Sequence, residues 1–516
     1  MKAILWQFFL VASLVGQILC AEKPNFVIIV ADDLGWNDVS FHGSDQIPTP
    51  NIDKLAKEGI ILNNYYVAPI CSPSRSAIMT GRYPIHTGMQ VSTIFAYDTW
   101  GVSLNETFLP EILKEQGYAT HAIGKWHVGM FAKEYTPTYR GFDSFYGYYL
   151  GKADYWDHSN NEKYWGLDLH DNLEPVWTQW GNYSTEMYTA EAEGRIHNHD
   201  QSKPLFLYLA YQAVHSANRD ADALQAPDSW IRKYNHIQHE GRRKFAAMMG
   251  YMDYGIGRVH DALVKTGMIN NTVIIFTTDN GGPANGFDQN WANNFPLRGV
   301  KATLWEGGVR AAGFVHSNLL KKPGRTSMDL IHITDWVPTL VNLAGGSSKA
   351  PFDGVDQWSC LSEGLPSARE EILLNIDNDR WMNKALRMGD WKIIQETGTW
   401  DGWYAPPGVI GMENTNLVDD TYITFQSQPV VNCGEKPANV SSTCFKKPNF
   451  CLFNIIDDPC EYHDLSGKYP ELLETMKKRL QFYEDSAVPP RRNETGDPRA
   501  NPKLHNGVWV PWITLP

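Results

Sequence analysis

Residues 25–35 read NFVIIVADDLG. From Phe26 to Ala31 the run is continuously apolar and rich in β-branched side chains, with no polar alternation. That pattern predicts a strand buried on both faces, as in a parallel sheet covered by helices. The run stops at Asp32-Asp33-Leu34-Gly35. Two carboxylates therefore fall at the carboxyl end of the strand, where open α/β sheets bind ligands. A polar cap explains one aspartate there readily and two adjacent ones less readily.

Two further stretches repeat the pattern. Residues 204–214 (PLFLYLAYQAV) carry His215 at their end, and residues 272–278 (TVIIFTT) end in Asp279-Asn280, followed by Gly281-Gly282, read as flexible. A shorter strand, Ala119 to Ile123, delivers Gly124-Lys125-Trp126-His127. Lys125 and His127 alternate, so on an extended segment they share a face. Another strand is read near residues 311–315. Helices are predicted at 51–58 with Asn51 as a candidate cap, at 106–116 closed by Gly117, at 240–265 and at 329–344.

Strand–helix alternation predicts an α/β fold: one large domain with a mainly parallel or mixed sheet flanked by helices. The texture changes around residues 365–380. Strands at 384–395 and 451–456 and an amphipathic helix at 470–485 predict a small C-terminal α+β domain. The division is taken as 21–375 and 376–516. Residues 135–188, rich in Tyr and Trp, read as loops, some walling a cleft. His197 and His199 fit a solvated polar loop better than a metal pair.

The N-terminus reads as a secretory signal over residues 1–20: Lys2, an apolar run to Leu19, then Cys20 and Ala21. No stable membrane anchor is expected. Sequons at Asn105, Asn182, Asn270, Asn439 and Asn493 fit a glycosylated extracellular or lysosomal protein. The formal net charge of -13, without a basic block, argues against a nucleic-acid partner. Of seven cysteines, the four late ones suit two disulfides in an oxidising compartment. Connectivity is not legible in sequence; pairing neighbours gives Cys433–Cys444 with Cys451–Cys460.

The stretch that names a chemistry is Cys71-Ser72-Pro73-Ser74-Arg75, continued to Arg82 as SAIMTGR. Pro73 pre-sets a first helical turn. The free N–H groups there favour an anion, and Arg75 adds a fork for tetrahedral oxyanions. Asp32, Asp33, Asp279 and Asn280 are hard oxygen ligands of the kind calcium takes.

The Cys71 stretch resembles the sulfatase signature C-x-P-S-R followed by T-G-R. With residues 32–35, 124–129 (GKWHVG), 140–143 (RGFD), 279–282 and 304–310 (LWEGGVR), the chain resembles the sulfatase family of the alkaline-phosphatase-like superfamily from about residue 25 onward. Within it the chain looks most like the arylsulfatase B, or N-acetylgalactosamine-4-sulfatase, type. The resemblance implies that a formylglycine-generating enzyme converts Cys71 to formylglycine, whose hydrate attacks a sulfate-ester substrate. It implies one calcium ion held by Asp32, Asp33, Asp279, Asn280 and residue 71, and sulfate oxygens neutralised by Arg75, Lys125 and Lys301. His215, with Lys301, would protonate the leaving alcohol, and His127 would deprotonate the second hydroxyl so that the aldehyde re-forms. Cysteines that such relatives carry around residues 97–135 are missing here, and Ala500 stands where a late one is expected, so the disulfide framework differs. A phosphoesterase of the same superfamily and a catalytically silent glycan-binding relative remain alternatives. The physiological sulfate ester stays open among glycosaminoglycan, steroid and plant esters.

Overall fold

The computed structural model describes residues 23–218, 222–347, 351–395, 400–406, 430–438, 440, 444, 449–492 and 495–516. The signal read at residues 1–20 and the sequons Asn439 and Asn493 lie outside the described residues.

Four parallel strands form the centre: β1 (Asn25–Ala31), β2 (Ala119–Lys125), β3 (Leu205–Ala210) and β4 (Thr272–Thr278). Their order is β4-β1-β3-β2, and Ser144–Tyr148 adds a fifth parallel strand beside β2. Ile28 of β1 stands level with Tyr208 on one side and Ile275 on the other. Five shorter strands complete a ten-stranded mixed sheet: Gly313–His316, Ile60–Leu62 and Arg325–Ser327 beyond β4, and His170–Asp171 and Glu174–Pro175 at the other edge.

The alternation of β1 explains the layers. Val27, Ile29 and Ala31 join a core with Met187 and Ile196 of helix α2 (Ser184–His197) and Phe245 and Ile256 of α3 (Glu240–Lys265). Phe26, Ile28 and Val30 join the opposite core with Ala77 and Ile78 of α1 (Cys71–Thr80), Ile112 and Trp336. Both faces are therefore sealed, as the unbroken apolar run requires.

The small C-terminal sheet is antiparallel, in the order Glu371–Ile376, Lys384–Met388, Trp391–Gln395, Cys451–Asn454. Leu373, Leu386, Ile393 and Leu452 pack on Met476 and Leu480 of helix α4 (Pro470–Ser486). Ile372, Leu374, Ile394 and Phe453 face the other way, onto Leu304, Trp305 and Val309. A buried Lys392 ammonium between Glu306 (3.0 Å) and Glu461 (2.7 Å) ties that face electrostatically to the same segment. Among the described residues no helix is long and apolar enough to cross a membrane.

Several local expectations are corrected. The disulfides are Cys433–Cys460 and Cys444–Cys451. The extended strand Cys451–Asn454 carries the chain away from Cys451, so Cys460 meets Cys433 and the shorter loop is nested in the longer. Asn51 does not cap its helix; Thr49 holds that position, and Asn51 donates from backbone and side chain to Asp253 of α3. The helix read at 329–344 is α-helical only from Trp336 to Leu343, because Ile331–His332 first pairs with Tyr65–Tyr66. Residues 135–188 are not all loop: they hold the strand Ser144–Tyr148 and the start of α2.

Candidate active site

The candidate side chains arise at the carboxyl ends of the central parallel strands, at the head of α1, or on the loop that follows β4. Asp32 and Asp33 follow β1, His215 follows β3, Asp279 and Asn280 follow β4, Lys125 ends β2, and Lys301 lies on the loop. Asp33 turns out of its strand with a left-handed φ of 58°, a conformation few non-glycine residues adopt outside constrained sites. His127 does the same at φ 60°. Lys125 and His127 thus do not reach the site by strand alternation; the strand ends at Lys125 and His127 itself takes the left-handed turn. Gly281 and Gly282 are there for contact, not flexibility. A Cβ on Gly281 would lie 1.8 Å from the carbonyl oxygen of Gly307.

Helix α1 has no solvent face: all ten residues are buried. Its serines are all hydrogen-bonded: Ser74 Oγ accepts from the Ala68 N–H at 2.9 Å, Ser72 Oγ accepts from the Ile94 N–H at 3.2 Å, and Ser76 Oγ meets Thr87 Oγ1 at 3.3 Å. It ends at Gly81, left-handed at φ 69°, whose N–H donates to Ala77 O. Cys71 occupies the first turn, and its thiol donates to Asp32 Oδ1 at 3.9 Å.

The buried ionic groups interlock. Lys125 Nζ donates to Asp32 Oδ2 at 2.7 Å, and Lys301 Nζ to Asp33 Oδ2 at 2.7 Å. Arg75 grips Asp279 Oδ2 through Nε (3.1 Å) and Nη2 (2.8 Å) and donates to Lys125 O. Asp279 Oδ1 accepts from the Asp33 N–H at 3.3 Å. Asn280 donates to Asp33 Oδ1 at 2.8 Å, while its own buried Oδ1 lacks a partner among the described residues. Ligand atoms of Asp32, Asp33, Cys71 and His215 lie within 4.8 Å of one another.

Three carboxylates face three cations, so the cluster is neutral when all six groups are ionised. Burial and the Asp279 charge push the Asp32 carboxyl up. At Asp279 burial also acts upward, but Arg75, Lys125 and Lys301 outweigh it and hold the carboxyl below its usual range. Burial acts downward on Lys301, yet Asp33 overrides it and keeps the ammonium charged. Burial pushes the Cys71 thiol up to about 12, against the pull of Lys125 and Lys301.

The hydrogen bonds fix both histidine tautomers, since carbonyls only accept. His215 Nδ1–H donates to Ser216 O at 2.7 Å, which leaves Nε2 as the acceptor for Lys301 Nζ at 3.3 Å. His127 Nε2–H donates to Ile94 O at 2.9 Å, which leaves its buried, unpartnered Nδ1 as a free lone pair. Burial holds His215 down at about 3 and His127 well below its ordinary value.

A cavity of about 620 Å³ opens above this floor. Cys71, His127, His215 and Lys301 line it; Asp32, Asp33, Asp279 and Asn280, with the paired Arg75 and Lys125, lie outside that lining. Its outer wall contains residues that sequence reasoning missed: Phe95 stacked on Tyr97 at 6.0 Å, half-buried Glu162, Asp288, and Arg380, Trp381 and Trp400. Trp400 packs 4.9 Å from Phe287 and 6.1 Å from Trp381. Only the Tyr- and Trp-rich stretch around Glu162 had signalled a wall. Arg380 and Trp381 sit in the first hairpin of the small sheet, and no local pattern aims them at the cavity.

A mixed sheet covered on both faces, with carboxylates, lysines and a thiol gathered at the ends of its parallel strands, suits an enzyme that takes an anionic ester. The Sulfatase family model matches residues 24–347. The chain therefore belongs to the sulfatase family, and it is a sulfuric ester hydrolase. Arylsulfatase J of Mus musculus is 42% identical over 513 residues, spanning 95% of this chain and 80% of that protein. N-acetylgalactosamine-6-sulfatase of Mus musculus is 30% identical over 378 residues, 69% of this chain and 70% of the relative. The crystal structure of Ps i-CgsB in complex with k-i-k-neocarrahexaose has a TM-score of 0.74 at 29% identity, covering 94% of this chain and 98% of that one.

Proposed function

We propose that this chain is a secreted or lysosomal calcium-dependent sulfatase that hydrolyses sulfate esters of ring-bearing alcohols through a formylglycine made from Cys71. The observation that carries this reading is the neutral floor: Asp32, Asp33 and Asp279 against Arg75, Lys125 and Lys301, all buried. Such a cluster can accept a divalent cation together with a singly charged sulfate ester and one ionised hydroxyl at residue 71 without net charge, whereas the cation alone would leave a buried excess. The residues fit calcium, offering hard oxygens and the unpartnered Asn280 Oδ1. Asp32, Asp33, Asp279, Asn280 and residue 71 would hold the ion. When bound, it supplies Lewis-acid polarisation and lowers the pKa of a hydroxyl beside it.

Unmodified Cys71 is a poor nucleophile here, because burial keeps the thiol protonated. Formylglycine supplies, as its hydrate, one hydroxyl for attack on sulfur and a second for release. His127 is oriented for the second: Nε2–H is pinned to Ile94 O, so Nδ1 is the atom that accepts a proton. For the leaving alcohol, the proton sits on Lys301 Nζ and is shared towards His215 Nε2. Lys125 and Arg75 balance Asp32 and Asp279. The aromatic wall of Phe95, Tyr97, Trp381 and Trp400 offers flat apolar faces to a ring. That suits both the arylsulfatase name of one relative and the neocarrahexaose held in the similar Ps i-CgsB crystal structure. The signal pattern and the exposed sequons at Asn105, Asn182 and Asn270 support the compartment.

The test is peptide mass spectrometry across residue 71 of secreted protein, with sulfate release from an aryl sulfate before and after chelation. Formylglycine at 71 and chelator-sensitive release are expected. Unmodified cysteine throughout, with no release, would sink the reading.

A further inference from the structure

Trp165, Trp177 and Trp180 are 46%, 45% and 59% exposed, while Trp36, Trp126, Trp305, Trp336 and Trp509 are fully buried. The three exposed indoles form one patch. The rings of Trp165 and Trp180 lie 6.5 Å apart, tilted by 47°. Gly507 brings in the third: a methyl there would stand 3.7 Å from Trp177 and 4.0 Å from Trp165. Contiguous aromatic area left in water usually marks a surface that something covers.

The covering group has an attachment point at hand. Trp180-Gly181-Asn182-Tyr183-Ser184 places a sequon asparagine two residues after the most exposed of these tryptophans. The chain turns tightly between them: Gly181 is left-handed at φ 84°, and the Asn182 N–H donates to Gln179 O at 2.9 Å. Asn182 is exposed, and its Nδ2 donates to the Gln179 side chain in a solvent-facing contact of 2.7 Å. Asn105 and Asn270 are exposed too, but no exposed tryptophan accompanies them in sequence.

We propose that Asn182 carries an N-linked glycan whose first sugars lie over Trp180, Trp165 and Trp177. The donor is a lipid-diphosphate-linked oligosaccharide. Asn182 Nδ2 attacks the anomeric carbon; a C–N bond forms, the sugar–phosphate C–O bond breaks, and its electron pair leaves with the diphosphate. The amide proton passes to base. A pyranose presents an apolar C–H face that stacks on an indole. The glycan thus both shields the aromatic patch and is ordered by it. The active-site cavity is lined by other residues, so hydrolysis does not depend on this glycan.

The test uses the full chain secreted from eukaryotic cells. Glycopeptide mass spectrometry reads occupancy at residue 182, and hydroxyl-radical footprinting reads oxidation of each tryptophan. The expected result is an occupied Asn182, with Trp165, Trp177 and Trp180 oxidised several-fold less than in Asn182→Gln. Buried Trp336 serves as the unchanged control, and sulfate release is the same in both proteins. Should Asn182→Gln fail to be secreted, stripping the glycan enzymatically from the folded protein gives the same comparison. An unmodified Asn182 overturns the proposal. So does an occupied Asn182 whose neighbouring tryptophans oxidise equally with and without the sugar.

Discussion

The floor and the outer wall of the cavity are built by opposite means. Floor residues sit at the ends of central parallel strands, on the buried helix α1 or on the loop after β4, locked by paired charges at 2.7 to 2.8 Å. The wall draws Phe95, Glu162, Asp288, Trp381 and Trp400 from segments far apart in sequence, and its contacts are aromatic. The floor is rigid because removing one charge exposes another in low dielectric. The wall lacks that constraint and can vary without unfolding the sheet. In the function proposed above, the chemistry therefore belongs to the floor and the choice of ester to the wall.

The strongest way to break this division is Cys71→Ser. Serine keeps one hydroxyl but not the second, so sustained turnover should vanish while a single sulfated serine accumulates, visible by intact-mass analysis, provided maturation leaves the serine unmodified. Multiple turnover by protein confirmed to carry serine would reject the two-hydroxyl role of residue 71. Next in size is Lys301→Ala, which removes the partner of Asp33 and the proton held against His215. A drop in kcat of about 10²–10⁴-fold is expected for alkyl sulfates, and a smaller one for activated aryl sulfates. Equal losses would show that Lys301 only binds sulfate.

The wall should respond differently. Trp381→Ala is expected to raise KM roughly 10-fold, about 1.4 kcal/mol, with kcat almost unchanged. A fall in kcat matching that of Lys301→Ala would erase the distinction between the regions.

The smallest effect sharpens the boundary between them. Asp168, buried, accepts N–H bonds from Tyr149 and Leu150, next to wall residue Gly151. Burial pushes its carboxyl up to about 7. The folded state then holds a proton that the unfolded chain loses near pH 4. Its contribution is full below pH 4 and declines as pH rises to 7, by at most a few kcal/mol. With calcium saturating, the change in melting temperature from pH 5 to pH 8 should be more positive in Asp168→Asn than in wild type, because the substitution removes this loss and leaves the opposing gain from the buried neutral His127 and His215. A wild-type profile that rises with pH, unchanged by the substitution, would assign the dependence elsewhere.

By itself the sequence determined the central strands and the floor. An unbroken apolar run such as NFVIIVA has one stable solution, burial on both faces, and its end is where the chain must leave the sheet. Asp32, Asp33, His215, Asp279 and Asn280 were legible for that reason, and Cys71 and Arg75 by their fixed spacing at a helix start. Tertiary structure alone decided the rest. The left-handed turns at Asp33 and His127, the pairing of Arg75 with Asp279 and of Lys125 with Asp32 outside the cavity lining, the nesting of Cys444–Cys451 inside Cys433–Cys460, and the arrival of Trp381 and Trp400 at the cavity all depend on contacts between distant segments. Periodicity encodes which face of an element is buried. It does not encode which remote loop will lie against that element, because that is set by how the two sheets pack through Leu304, Trp305 and the Glu306–Lys392–Glu461 cluster.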